Sequence, residues 1–139
     1  MIEPEMVFGD IYDDIDLGEQ TIKYLTDYAL KESKEDLELF ATFVDKELLR
    51  NLENICLPDF ERLPYEDAIK ILTKFKEKFE YEVSFGKDLQ AEHENYLAAQ
   101  YFKKPVIFYN YPKSIKPFYM RVNDDNKTGA AMDILAPGI

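Results

Sequence analysis

The 139 residues include one cysteine, one histidine, five glycines and no tryptophan. Each scarcity removes a class of chemistry. The lone Cys56 cannot build an internal disulfide framework and suits a reducing compartment, expected here to be the cytoplasm. No histidine or basic cluster lies near Cys56 in the sequence, so a nucleophilic thiol is not expected, and the residue should pack as a small apolar group. His93 stands between Glu92 and Glu94. Adjacent positions on a helix do not share a face, which argues against metal ligation by the three together. The glycines are scattered and form no phosphate-cradling loop. No apolar run approaches the ~20 residues that cross a bilayer. The acidic opening Met1-Ile2-Glu3-Pro4-Glu5 lacks the basic and apolar regions of a signal peptide.

Basic residues are also outnumbered, 17 against 28 acidic, for a formal charge of −11. Proteins that track nucleic-acid phosphates use Lys and Arg to displace condensed counterions, so the chain is not expected to bind nucleic acid by itself. The acidity gathers in the first half, at Asp10, Asp13, Asp14, Asp16, Glu19 and the stretch 32–38, while Lys103, Lys104, Lys113, Lys116, Arg121 and Lys127 moderate the second half. What is plentiful is core material. Apolar residues make up 46% and aromatics 14%, with ten Tyr and ten Phe, enough for one domain of ordinary size.

Positions 1–8 read as a strand. Asp14 or Asp16 is expected to cap a helix from about Leu17, with Ile22, Leu25, Tyr28 and Ala29 at helical spacing. A second helix should open near Ser33 or Glu35 and bury Leu37, Phe40, Phe43, Val44 and Leu48. Leu57-Pro58-Asp59-Phe60 breaks the pattern; a short strand over 60–63 and a helix from Pro64 to about Lys78 should follow. A further helix is expected over 89–102. Pro105-Val106-Ile107-Phe108-Tyr109 reads as a strand buried on both faces, Tyr111-Pro112-Lys113-Ser114 as a loop, 117–122 as a strand, and Asp124 to Gly129 as a hairpin turn leading to a third strand over 130–135. The class is α+β: an antiparallel sheet with flanking helices, comprising a helical insert over about 15–58 and a sheet-forming part over about 80–139. Both ends read as cut from a larger domain, because the chain opens inside an apparent core strand and stops as another strand leaves a turn.

Three stretches carry a family resemblance. The run Lys103-Lys104-Pro105-Val106-Ile107, then Tyr111-Pro112-Lys113-Ser114-Ile115-Lys116-Pro117-Phe118-Tyr119-Met120-Arg121, then Asn123 to Thr128, then Ala130-Ala131-Met132-Asp133-Ile134-Leu135 resembles bacterial asparaginyl-tRNA synthetases almost residue for residue. Gly86-Lys87-Asp88-Leu89-Gln90-Ala91-Glu92-His93-Glu94 is similar to that family's Gly-x-Asp-Leu-Gln-x-Glu-His-Glu segment. Met1-Ile2-Glu3-Pro4-Glu5-Met6 is similar to the strand closing its second signature motif. The resemblance implies part of the catalytic domain of a class II aminoacyl-tRNA synthetase of the aspartyl, asparaginyl and lysyl subgroup. The parent enzyme would be a cytoplasmic homodimer that activates asparagine with ATP and Mg²⁺ and transfers it to tRNA(Asn), with no membrane partner.

The family's ATP-gripping Arg-x-Glu motif would fall before Met1, and its Gly-rich motif with a nucleotide-holding Arg after Ile139. The isolated chain is therefore expected to be silent and to bind neither ATP nor Mg²⁺, and no catalytic residue is assigned. The resemblance puts Glu3 near the substrate's amino group; the plainer alternative is an ordinary charged strand residue. It puts Lys116 in a mobile segment that closes over the amino acid, against the alternative of a solvated lysine. Asp133 follows apolar Ala130, Ala131 and Met132, where a carboxylate is costly unless paired or metal-bound. In related aspartyl enzymes an Asp at about this position helps hold Mg–ATP; a buried salt bridge is the alternative. For His93 the resemblance implies a structural or substrate-proximal role. Two other readings stay open: a segment of a synthetase-like asparagine synthetase, and a non-catalytic interaction module that associates, with itself included, through exposed sheet edges.

Overall fold

Asp10, not Asp14 or Asp16, begins the first helix. In the computed structural model, which describes residues 6–137, α1 runs from Ile11 to Glu32 behind a capping box in which Asp10 accepts from the Tyr12 and Asp13 amides and Asp13 accepts from the Asp10 amide. Such reciprocal bonds satisfy donors that a helix start leaves without partners. The strand expected over 1–8 lies mostly outside the described residues, and Val7 and Phe8 form a turn, with Phe8 at φ 63°.

The second helix departs from expectation. α2 (Lys34–Phe43) buries no residue, and Phe40, Phe43 and Val44 of the expected stripe stay exposed. The helix stops there because the chain turns, with the Asp45 carboxylate accepting the Glu47 amide at 2.9 Å. Leu48 therefore opens a separate helix, α3 (Leu48–Cys56), which supplies the buried Ile55. α1 packs chiefly against α3.

The sheet has three strands, β1 (Glu61–Pro64), β2 (Val106–Pro112) and β3 (Thr128–Leu135), in that spatial order. β3 runs antiparallel to β2 as expected of this sheet, and β1 adds to its other side in parallel. Between β1 and β2 lie α4 (Tyr65–Lys74), a single 3₁₀ turn, the short α5 (Ala91–Asn95) and a π-helix over Tyr96–Phe102. The strand expected over 117–122 does not form. Pro117 has no amide to give a ladder, its carbonyl accepts the Met120 amide in a turn, and only Val122 makes an isolated bridge, to Gly129. The third strand consequently pairs with β2. Tyr111 and Pro112, expected in a loop, belong to β2.

The two faces of the sheet bury different cores. Ile107, with Tyr109, Met132 and Ile134, meets Ile15 of α1 and Ile55 of α3. Val106, Phe108 and Ala131, with Leu135, meet α4 and the helices before β2. Asn110 interrupts this alternation: it adopts φ 56°, and the β2–β3 register shifts between Tyr109 and Tyr111. A bulge of this kind re-aims the next side chain. Tyr111 therefore joins Val106 and Phe108 on one face, where strict alternation would have put it with Tyr109.

Candidate functional site

The bulge brings Tyr111 beside Asp133, one of the residues singled out from the sequence. Asp133 has the same parity on β3 as Ala131 and Leu135, so it projects to the face that holds Tyr111. There the Lys116 Nζ donates to the Asp133 carboxylate at 2.9 Å and sits 3.8 Å from the centroid of the Tyr111 ring. Two of the residues singled out from the sequence, Lys116 and Asp133, thus meet. Their pairing is not the deeply buried salt bridge envisaged as an alternative: the Asp133 side chain is 47% exposed and the Lys116 side chain 18%. Glu3 lies outside the described residues.

The Tyr111 residue is only 1% exposed, and its hydroxyl lies near Asp133 without meeting hydrogen-bond geometry to it or to any other described residue. A buried hydroxyl without a partner is costly, and a native structure seldom retains one without cause. Burial first, then the carboxylates of Asp133, Glu94 and Asp88, push the phenol far above its ordinary range. The same surroundings act on Glu94, whose carboxyl is raised by burial and by the charges of Asp133 and Asp88, with Lys116 opposing. The face therefore gathers three carboxylates, one ammonium and a buried phenol.

The walls of this face are fixed by local bonds. Tyr65, fully buried at the start of α4, donates its hydroxyl to the Lys87 carbonyl and accepts the Gly86 amide at 3.2 Å. That ties the turn before Asp88 to the core, with the Tyr65 and Tyr111 ring centroids 5.4 Å apart. Gly86 needs its freedom here, since its φ is 88°. His93 is consumed structurally. Its Nδ1 accepts the Gln90 amide at 3.1 Å, and its Nε2 lies 3.3 Å from the Tyr81 carbonyl. Nε2 must therefore carry the proton, and both nitrogens are occupied by backbone. Glu92 accepts the Glu80 and Tyr81 amides, leaving Glu94 as the member of that segment that faces the site.

The loop carrying Lys116 borders an open groove of about 360 Å³ lined by Lys113, Lys116, Pro117, Phe118, Met120 and Val122. Phe118 and Tyr119 project outward from it. Arg121 is also exposed, on a segment that forms no strand. Cys56 is half-buried with its thiol raised by that burial, in keeping with an inert role. Among the described residues no group of three or more His, Cys, Asp or Glu is placed to hold a metal ion, and no helix is long and apolar enough to cross a membrane.

Sequence reasoning missed Tyr111 and the bulge that turns it. The available signal was Asn110 within an apolar run: asparagine is poor in strands yet tolerates a left-handed backbone.

Comparison with known proteins is consistent along the whole chain. A family model for tRNA synthetases class II (D, K and N) matches residues 1–139. The chain is 55% identical over 139 residues to an asparagine–tRNA ligase of Desulfitobacterium hafniense (strain Y51) and 52% identical to one of Acetivibrio thermocellus, covering 100% of this chain and 30% of each relative. It also resembles the crystal structure of asparaginyl-tRNA synthetase from Pyrococcus horikoshii complexed with asparaginyl-adenylate. That match has a TM-score of 0.77 at 32% identity, over 94% of this chain and 28% of the other. The chain thus spans about 30% of the length of the curated relatives it matches.

Proposed function

This chain belongs to the class II tRNA synthetases of the D, K and N type, and we propose that it is part of the catalytic domain of an asparagine–tRNA ligase. The observation that carries this reading is the unbroken match, at 55% identity over 139 residues, to a relative of that name. The parent enzyme would join asparagine to ATP as an adenylate and pass it to tRNA(Asn), acting as a cytoplasmic homodimer. Helices α1 to α3 would be an insert carried by the sheet-forming part.

On this reading the Tyr111–Lys116–Asp133 face is the substrate side of the sheet. Lys116 offers an ammonium to the amino acid or nucleotide, and Glu3 an acceptor for the substrate's amino group. The described residues form no metal-holding group of their own, so Mg²⁺ would depend on ligands from outside them. The metal is usually bound through one or two carboxylates plus substrate phosphates rather than in an all-protein cage, and Asp133 is a half-exposed carboxylate. Asp133 would be the carboxylate this chain offers the ion, which when bound offsets charge developing on the phosphates. Tyr65 and His93 keep the surrounding turns in place.

These residues contain no Arg-x-Glu motif and no Gly-rich stretch with an arginine, so the phosphate-gripping groups must come from elsewhere in the parent. The test is ATP–pyrophosphate exchange with asparagine and Mg²⁺, by the 139-residue chain beside a protein extended to the length of its relatives. Exchange by the longer protein alone, driven by asparagine and not aspartate, is expected. Exchange by the short chain would overturn its silence, and no asparagine-dependent exchange by the longer one would overturn the assignment.

A further inference from the structure

We propose that the outward face of α2 is a docking surface for a basic amphipathic helix of another protein. Leu39, Phe40 and Phe43 of α2 and its capping residue Val44 recur at spacings of three and four, so they share one side of the helix. All four are exposed, Phe43 at 78% and Val44 at 76%. The fold uses the other side: Leu37 and Ala41, four apart, are half-buried, and α2 touches α3 and α1. Single exposed apolar residues are ordinary on a protein surface. Several gathered on one side of a helix, with charge around them, mark an interaction site.

Charge selects the occupant. Glu32, Glu35, Asp36 and Asp45 lie at the two ends of α2 and make no salt bridge among the described residues. The bases of this stretch are mostly spent: Lys31 pairs with Asp27, Lys34 with Glu38 and Arg50 with Glu47. Lys46 is the one base between 31 and 50 outside those pairs. Asp36 precedes Leu39 by three residues and Phe40 by four, which puts a carboxylate at the head of the apolar row. A second copy would bring the same acidic rim and its own charge of −11. Nucleic acid and an anionic membrane would likewise set negative charge against negative charge. A helix carrying lysine or arginine beside an apolar stripe meets both demands. Its stripe covers Phe40 and Phe43, and its cations answer Glu35 and Asp36.

The probe is a labelled peptide of lysine and leucine with its leucines on one helical face, read by fluorescence anisotropy beside a scramble of the same composition. Both the 139-residue chain and a protein extended to the length of its relatives should bind the amphipathic peptide about tenfold more tightly than the scramble. Phe40→Ser combined with Phe43→Ser should abolish that preference and leave melting unchanged, since both side chains are already exposed. Glu35→Lys with Asp36→Lys should weaken the peptide about tenfold. Glu77→Lys with Glu80→Lys makes the same change in net charge beyond the end of α4 and should alter affinity by less than about twofold, as a screened distant charge does. Equal binding of the scramble, or indifference to the two Phe substitutions, would reduce the effect to bulk charge and overturn the proposal. Binding by the 139-residue chain but not by the extended protein would mean that the rest of the parent covers α2. Self-association that the Phe substitutions abolish would make a second copy the occupant, and displacement of the peptide by a tRNA transcript would make it a nucleic acid; each of these three results would also overturn it.

Discussion

A Cβ placed on Gly18 would stand 2.8 Å from Cδ1 of Ile134 and 3.1 Å from Cε of Met132. Helix α1 thus presses on β3 at the two residues that flank Asp133, from the face opposite the site. Gly18→Ala gains up to ~1 kcal/mol of helix propensity, and the atom it crowds is the movable end of a side chain. It should therefore be nearly neutral in urea unfolding. Gly18→Val has no such escape and should cost about 1–3 kcal/mol by overpacking.

Asn110 should be just as sensitive to shape. At φ 56° a β-branched residue is strained, so Asn110→Val is expected to be less stable than Asn110→Gly by about 1–2 kcal/mol. The glycine variant should keep Tyr111 turned inward, which tyrosine ring contacts in an NMR spectrum would report. A valine variant as stable as the glycine one would mean that the bulge is not needed to aim Tyr111.

What could be read in the sequence follows from local rules. Ala68, Ile69 and Leu72 recur at helical spacing and are the buried face of α4; Val106, Ile107 and Phe108 form an unbroken apolar run and are buried on both sides. Lys116 and Asp133 were legible as site candidates through family resemblance, and their meeting needed the fold. The stripe of α2 misled because periodicity shows which residues share a face and not whether anything covers it: Phe40 and Phe43 share one and remain exposed. The 117–122 segment misled because Phe118 and Tyr119 have high strand propensity, while Pro117 and the turn bond across it prevail. Parallel pairing of β1 with β2 is a long-range choice that no local window contains.

Glu19 should anchor the helical part to the sheet. Its buried carboxylate accepts the Phe60 amide at 3.0 Å and pairs with Lys23 at 2.8 Å and Arg62 at 3.3 Å. Glu19→Ala leaves the Phe60 amide without its acceptor and should cost about 1–3 kcal/mol. Burial alone would raise this carboxyl, but Lys23, the Phe60 amide and Arg62 together hold it below its usual value. Its contribution is therefore complete above the ordinary glutamate pKa of about 4.3 and is lost as pH falls through the lower folded value. Acid titration of stability should be shallower in Glu19→Gln.

Glu94 should behave in the opposite sense. Its folded pKa is raised by burial and by Asp133 and Asp88, so the folded chain binds its proton more tightly than the unfolded chain. Stability should fall as pH rises from about 4.3 through the folded value. Glu94→Gln should melt higher than the natural chain at pH 7, and the difference should vanish in acid. Equal melting at both ends would contradict the proximity of the three carboxylates.

Asparagine-dependent ATP–pyrophosphate exchange should be measured with Asp133→Asn in a protein extended to the length of its relatives. If the Tyr111–Lys116–Asp133 face is the substrate side of a class II synthetase, exchange should fall by about 10²-fold or more, the scale for losing one charge-stabilising group, with melting unchanged. Exchange within a few-fold of the natural protein would contradict that placement, and with it the reading of this face as the site.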